Sequence, residues 1–311
     1  VGAGLIGRAW AIAFARAGWS VRLWDTDPAV PERTLGAIAE LLPEMARHDL
    51  LDGAAPAEEQ ARIRPVAELA EALAGVAWVQ ENVPERLEVK RPLWAELDQR
   101  TPADAVLASS TSAIVPSAFT ETLAQRGRCL VVHPLNPPYL IPAVELVPAP
   151  WTTPETMARA EQVMRAVGMA TIRLTREIDG FVMNRLQGAL LEEAFRLVAD
   201  GICTAEEVDI GIRDGLALRW SFMGPFETID LNAPGGVRDY VQRYQGMYRE
   251  MFPSMQRRVD WAGPVLGEVE RARTIRLLRD PEQIAARQTW RDRRLMALAA
   301  HKRRASEEIG D

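Results

Sequence analysis

Two residues in this chain have the types and spacing for acid–base chemistry. His133 ends a short branched apolar run, Cys129-Leu-Val-Val132, that reads as a buried strand closed by a proline. Glu145 lies inside a second apolar run, Val144-Glu-Leu-Val147. An imidazole at the end of one strand and a carboxylate in the next can take up and release a proton near neutral pH. Prolines 134, 137, 138 and 142 fix φ and keep the link between the runs out of a helix. The plainer alternative is a satisfied histidine and a solvent-facing glutamate.

A second constellation opens the chain. Gly2, Gly4 and Gly7 form a G-x-G-x-x-G, followed by a helical run from Arg8 to Ala17, then Gly18, then the apolar Trp19-Ser-Val-Arg-Leu-Trp24. Asp25 lies 18 positions beyond Gly7, close to the spacing that dinucleotide binding requires. Gly2 permits a tight turn, Gly4 lets a pyrophosphate approach the backbone, and Gly7 lets helix and strand pack closely. The amides of Leu5, Ile6 and Gly7 then face the phosphates at the positive end of the helix. Asp25 is placed to accept the ribose hydroxyls, which favours NAD. The bland alternative is an ordinary strand–turn–helix. A first strand belongs before Gly2, yet only Val1 precedes it and there is no initiator methionine, so several upstream residues are expected to be missing.

The rest of the chain must position these groups. Residues 29–75 read mostly helical, Trp78-Val79 as a short strand, and Leu87 to Gln99 as a helix despite Pro92. Ala105 to Ala108 reads as a strand running into Ser109-Ser-Thr-Ser112, a cluster that either caps the next helix or faces a ligand. Thr153-Pro154 starts a helix that Gly168 ends, and Met169 to Leu174 reads as the last strand. Strands alternating with helices predict a mainly parallel, doubly wound sheet over residues 1–177. From Asp179-Gly180 onward the pattern is helical, with Asn184 in the first turn, an apolar face at Phe181, Leu186, Leu190, Ala194 and Leu197, and a Thr204/Glu207 capping box. The expected architecture is α/β: a Rossmann-like domain, then an all-α domain over 178–311.

Composition bounds the partners. The chain has 311 residues, 48% hydrophobic and 26% charged, with a net charge of −6, so neither nucleic acid nor an anionic membrane is indicated. No apolar stretch is long enough for a membrane span. Two cysteines give no disulfide framework, which makes a reducing cytoplasm the default. Three histidines and no C-x-x-C argue against a structural metal. Lysine occurs only at 90 and 302.

Four groups align with one family. Ser112, His133, Glu145 and Asn184 stand within "SSTSA", "HPLNPPYLIPAVELV" and "DGFVMNRL", and this set resembles the L-3-hydroxyacyl-CoA dehydrogenase superfamily. "QENVPERLEVK", "GPFETIDLNAPGG" and "PEQIAARQTWRDRRLMALA" are similar to its lambda-crystallin branch, the L-gulonate 3-dehydrogenases. The resemblance covers nearly the whole chain. It implies a two-domain, homodimeric NAD enzyme in which His133 is the base, Glu145 orients it, and Ser112 and Asn184 hold the reacting oxygen. Glu85, Lys90 and Asn136 fall at positions that resemble cofactor contacts; for Lys90, a solvated helix charge is an equal alternative.

Two further substrate classes stay open on this scaffold: a 3-hydroxyacyl-CoA such as 3-hydroxybutyryl-CoA, or a carnitine-like acid. A non-catalytic, crystallin-like structural role is a third possibility, which the full set of four groups opposes. The region 29–75 contains no lysine and intersperses its arginines with glutamates, which argues for a small free hydroxy acid over a CoA ester. Such an acid needs a carboxylate anchor. Arg219, expected in a break between helices, is the candidate; the alternative is a surface arginine paired with a glutamate.

Overall fold

The computed structural model describes residues 1–274 and 281–310. The chain divides into two compact units: Val1–Asn184 with Asp292–His301, and Arg185–Arg291 with Lys302–Asp311. The first is Rossmann-like with a mixed sheet. Among the described residues the second is helical.

Helix α1 (Leu5–Arg16) is alanine-rich and buries Ala9 to Ala15 without a break. Such a helix can lie close against a sheet because four of the seven side chains in that buried run are a single methyl. It leads to β1 (Val21–Leu23), which pairs in parallel with β2 (Ile63–Pro65). The stretch 29–75 is mostly helical, as expected, and that strand interrupts it. It is split into α2 (Ala29–Arg47), α3 (Pro56–Ala61) and α4 (Leu69–Leu73), with left-handed backbone at Asp49, Asp52 and Gly53 ending the first run. Only Ile63 of the three β2 residues is buried, too little for a two-residue periodicity to register.

The larger sheet holds β3 (Trp78–Glu81), β4 (Val106–Ser109), β5 (Cys129–Pro134), β6 (Ala143–Pro148) and β7 (Ala170–Arg173), in that order. Helices α5 (Leu87–Arg100), α6 (Ser117–Thr120) and α7 (Pro154–Ala166) connect its strands. All neighbours are parallel except β5 and β6. Their link, 135–142, is shorter than the dozen or so residues a parallel crossover needs, so the chain must turn back on itself. Every residue of β3, β4 and β5 is buried, as strands covered on both faces should be.

Val1 and Gly2 pass between the two sheets: Val1 N donates to Gln80 O at 3.0 Å and Gly2 N to Trp24 O at 2.9 Å. Behind them lies a cavity of about 280 Å³, lined by Trp10, Phe14, Trp19, Val21 and Trp78.

The second unit takes most of α8 (Met183–Ala199), then α9 (Ala205–Ile210), the wide π turn Gly211–Leu216, α10 (Ala217–Trp220), α11 (Pro225–Leu231), α12 (Gly236–Met255), α13 (Pro264–Thr274) and both ends of α14 (Pro281–Ile309). The middle of α14 belongs to the first unit because Met296 is buried in its core, with Leu295 and Ala299 against the same core. The expected 178–311 domain differs from the compact units over 178–184 and 292–301, and its residues 275–280 and 311 lie outside the described residues. Of the apolar face expected on α8, Phe181 is buried in the turn before the helix, but Leu186 and Leu190 are exposed. No described helix is long and apolar enough to cross a membrane.

Candidate active site

The antiparallel register sets His133 directly opposite Glu145. Their side chains meet with Nδ1 and Oε2 2.6 Å apart, and both are buried. A carboxylate only accepts, so in the neutral imidazole Nδ1 carries the proton and Nε2 the lone pair. The other oxygen of Glu145 accepts from Val182 N at 2.6 Å and Met183 N at 2.8 Å. These amides belong to the turn entering α8, where orphan N–H groups and the helix dipole favour an anion.

That turn is strained. Gly180 has φ 73° and Phe181 has φ 50°, a left-handed backbone that costs a non-glycine residue about 1–2 kcal/mol. The Phe181 side chain compensates: it is fully buried and its ring lies 5.4 Å from that of His133. The phenyl ring and the carboxylate hold the imidazole from two sides.

Ser112 and Asn184 are drawn into the same assembly. Asn184 follows Met183 in the first turn of α8, and its Nδ2 donates to Ser112 O at 2.7 Å. One connected path thus runs from His133 through Glu145 and the α8 turn to Ser112. Ser112 is exposed, and among the described residues its hydroxyl has no hydrogen-bond partner, so it is available to an incoming ligand.

The glycine loop has the geometry of a dinucleotide cradle. A Cβ on Gly7 would stand 2.0 Å from Gly2 O, and one on Gly2 would meet the Asn82 backbone at 2.9 Å. Gly4 is open and exposed, with nothing within 4 Å of where its Cβ would be. Helix α1 has no side-chain cap, and its first turn closes only with Arg8 N on Gly4 O, which leaves the amides of Leu5, Ile6 and Gly7 for an anion. Asp25, at the end of β1, accepts from Ala3 N at 2.8 Å and is tied to the loop. Asn136 is half-buried, and its Oδ1 is a buried acceptor with no partner among the described residues. These features fit NAD.

Three expected contacts sit differently. Glu85 caps the turn carrying Ser112: it accepts from the Thr111 hydroxyl, from Ala113 N at 3.0 Å and from Ile114 N at 3.2 Å. Lys90 is neither a solvated charge nor a group open to a cofactor. It is 1% exposed, and its ammonium lies against the buried carboxylate of Glu81. Arg219 lies in the second unit, in α10 rather than in a break; it is exposed and near Tyr240, with no carboxylate partner among the described residues. Sequence reasoning missed Phe181's packing on His133 and the role of Glu81. A carboxylate ending the wholly buried strand Trp78–Glu81, nine residues before one of two lysines, was the available signal. Burial pushes the thiol of Cys129 up to about 12, so this cysteine is inert.

The saturated carboxylate makes a sharp expectation. In Glu145→Gln the amide oxygen stays with Val182 N and Met183 N, so the NH₂ must face His133 Nδ1. That forces the proton onto Nε2 and removes the free lone pair. Histidine ¹⁵N NMR should show the tautomer reversed, and turnover should fall roughly 10⁴-fold, as for a wrong-tautomer histidine elsewhere. An unchanged tautomer would contradict the geometry.

Comparison with known proteins places this assembly. Residues 1–178 match the 3-hydroxyacyl-CoA dehydrogenase NAD binding domain, and residues 180–265 match the 3-hydroxyacyl-CoA dehydrogenase C-terminal domain. The lambda-crystallin of Oryctolagus cuniculus is 42% identical, over 97% of this chain and 95% of its own. The L-carnitine dehydrogenase of Pseudomonas putida is 37% identical over 78% of this chain and 75% of its own. Among solved structures, that of 5-formyl-3-hydroxy-2-methylpyridine 4-carboxylic acid 5-dehydrogenase, an NAD⁺-dependent dismutase, superposes with a TM-score of 0.82 at 26% identity, covering 99% of this chain and 97% of that one. The chain belongs to the 3-hydroxyacyl-CoA dehydrogenase family, NAD-dependent oxidoreductases that act on a CH–OH group.

Proposed function

We propose that this enzyme oxidises the 3-hydroxyl of a small free hydroxy acid, L-gulonate to 3-dehydro-L-gulonate being the best fit. The observation that carries the chemistry is the His133–Glu145 pair, whose carboxylate is fully engaged and whose Nε2 is left free. His133 Nε2 takes the hydroxyl proton, and Glu145 stabilises the cation that forms. NAD, when bound, supplies the hydride acceptor. The Ser112 hydroxyl and the second Nδ2 proton of Asn184 hold the reacting oxygen as its negative charge grows. Gly2, Gly4, Leu5, Ile6 and Gly7 would hold the pyrophosphate, Asp25 the ribose, and Asn136 the other end of the cofactor. Glu85 acts by ordering the Ser112 turn. Residues 1–177 serve as the cofactor domain and 178–311 as the helical substrate and dimerisation domain.

A small acid is supported by the arginines of residues 29–75 and their surroundings. Arg33 pairs with Asp27 at 3.3 Å, Arg62 with Glu59 at 2.5 Å and Arg64 with Glu71 at 2.6 Å. Three of the four arginines in this stretch are neutralised in this way and are poorly suited to the phosphates of CoA; the fourth, Arg47, donates to Pro43 O at 3.4 Å. Arg219, with no carboxylate partner among the described residues, suits the substrate carboxylate. A carnitine-type substrate is the second reading, favoured by the tyrosines of α12: Tyr240 and Tyr244 lie 4.7 Å apart, and aromatic rings attract a quaternary ammonium.

NADH formation with L-gulonate, L-carnitine and L-3-hydroxybutyryl-CoA decides among these readings. L-Gulonate should be preferred, and Arg219→Met should raise its KM at least about tenfold, the loss of a charge-assisted bond, while NADH binding stays level. A much better rate with the CoA ester would overturn the small-acid reading, and no turnover of any substrate would favour a crystallin-like role.

The second unit exposes Leu218, Phe222, Phe226 and Leu231, each more than 60% accessible. Side chains of this size in one unit suit burial against a second copy of the chain, and a homodimer is the proposed assembly. Sedimentation should give twice the chain mass, and a monomer at micromolar concentration would refute it.

A further inference from the structure

Below the turn that carries Ser112 lies a charge pair for which proton and hydride transfer have no direct use. Glu81 ends β3 and is fully buried; Lys90, in α5, is 1% exposed. The three N–H bonds of the Lys90 ammonium have three acceptors: Glu81 Oε1 and Oε2, both at 2.9 Å, and Ser109 Oγ at 3.3 Å. Glu81 also accepts from Val83 N at 2.7 Å, Ser109 Oγ at 2.7 Å and Trp94 Nε1 at 3.0 Å. The Trp94 and Phe119 rings, 4.8 Å apart, keep the pair dry.

Burying two charges contributes little to stability, because lost hydration offsets their attraction, and an apolar pair of like volume often serves as well. What such a pair supplies is direction. Nearly every cation in this chain is an arginine. A planar guanidinium cannot aim three bonds from one point, whereas a compact ammonium can.

The bonds lead to the active site. Val83 lies in the loop after β3. Ser109 ends β4, and its Oγ accepts from Thr111 N at 3.2 Å. Thr111 donates in turn to Glu85, which holds Ala113 N and Ile114 N, so Ser112 is flanked by fixed neighbours on both sides. We propose that Lys90 and Glu81 are positioning residues: their buried pair locks the loops after β3 and β4 in one geometry and thereby sets where the Ser112 hydroxyl stands. This rests on the catalytic reading of Ser112 given above, and it differs from a direct cofactor role for Lys90.

The test uses the double variant Glu81→Gln/Lys90→Met, which leaves no unpaired buried charge. Ser109→Ala cuts the link while sparing the pair, and serves should the double variant fail to fold. Amide hydrogen exchange over 109–114 should accelerate in either. With L-gulonate, kcat should fall about 10–100-fold, the scale of a reacting group misplaced by an ångström, with NADH affinity within about threefold of wild type. In a Ser112→Ala background the same changes should lower kcat less than about threefold, because the group they position is gone. Unchanged exchange, equal losses in both backgrounds, or a tenfold weaker NADH affinity with kcat intact would overturn the proposal. Full activity in Ser112→Ala alone would instead strike the catalytic reading of Ser112, and the exchange measurement would still decide whether the pair orders the loop.

Discussion

The Glu145 carboxylate is the group on which the site depends. It is buried away from water, where an unpaired charge would be costly, and it is stabilised by three donors from two directions. One donor is the imidazole it orients. The other two are main-chain amides at the start of α8, available only because Gly180 and Phe181 adopt left-handed backbone. The strain at Phe181 and the charge of Glu145 stabilise one another. Satisfying the carboxylate fixes the His133 ring, selects its tautomer and brings Asn184 to Ser112.

Antiparallel pairing of β5 and β6 makes this possible. In a sheet whose other neighbours are parallel, one short return places two consecutive strands in direct register, so a base and its orienting acid face each other across the strand pair. Residues on strands keep their positions better than residues on loops. Ser112 is the member carried on a turn, and that turn receives the densest support, from Glu85 above and the Glu81–Lys90 pair below.

Much of this was legible in the sequence. Gly2, Gly4, Gly7 and Asp25 announced the cradle because each must meet a steric or charge demand at a fixed spacing. The Thr153 cap and the Thr204/Glu207 box were found where expected, since capping is local. Features set by tertiary contact were harder to read. A three-residue strand such as Ile63–Pro65 carries no periodicity. The burial of Lys90 depends on Glu81, Ser109 and Phe119 converging from other elements. The middle of α14 is apolar from Leu295 to Ala300, but nothing local says which unit that run packs against, so the place of Met296 in the first unit had to come from the tertiary structure. The antiparallel turn was readable in principle: the link 135–142 is too short for anything else.

The central claim is that the free Nε2 of His133 removes the substrate proton. The most direct measurement is turnover of His133→Ala, with its fold verified and its NADH affinity measured beside the wild type. The account predicts a kcat lower by roughly 10²–10⁴-fold, the range for losing a general base, with NADH affinity nearly unchanged. A folded variant that turns over at close to the wild-type rate would contradict it.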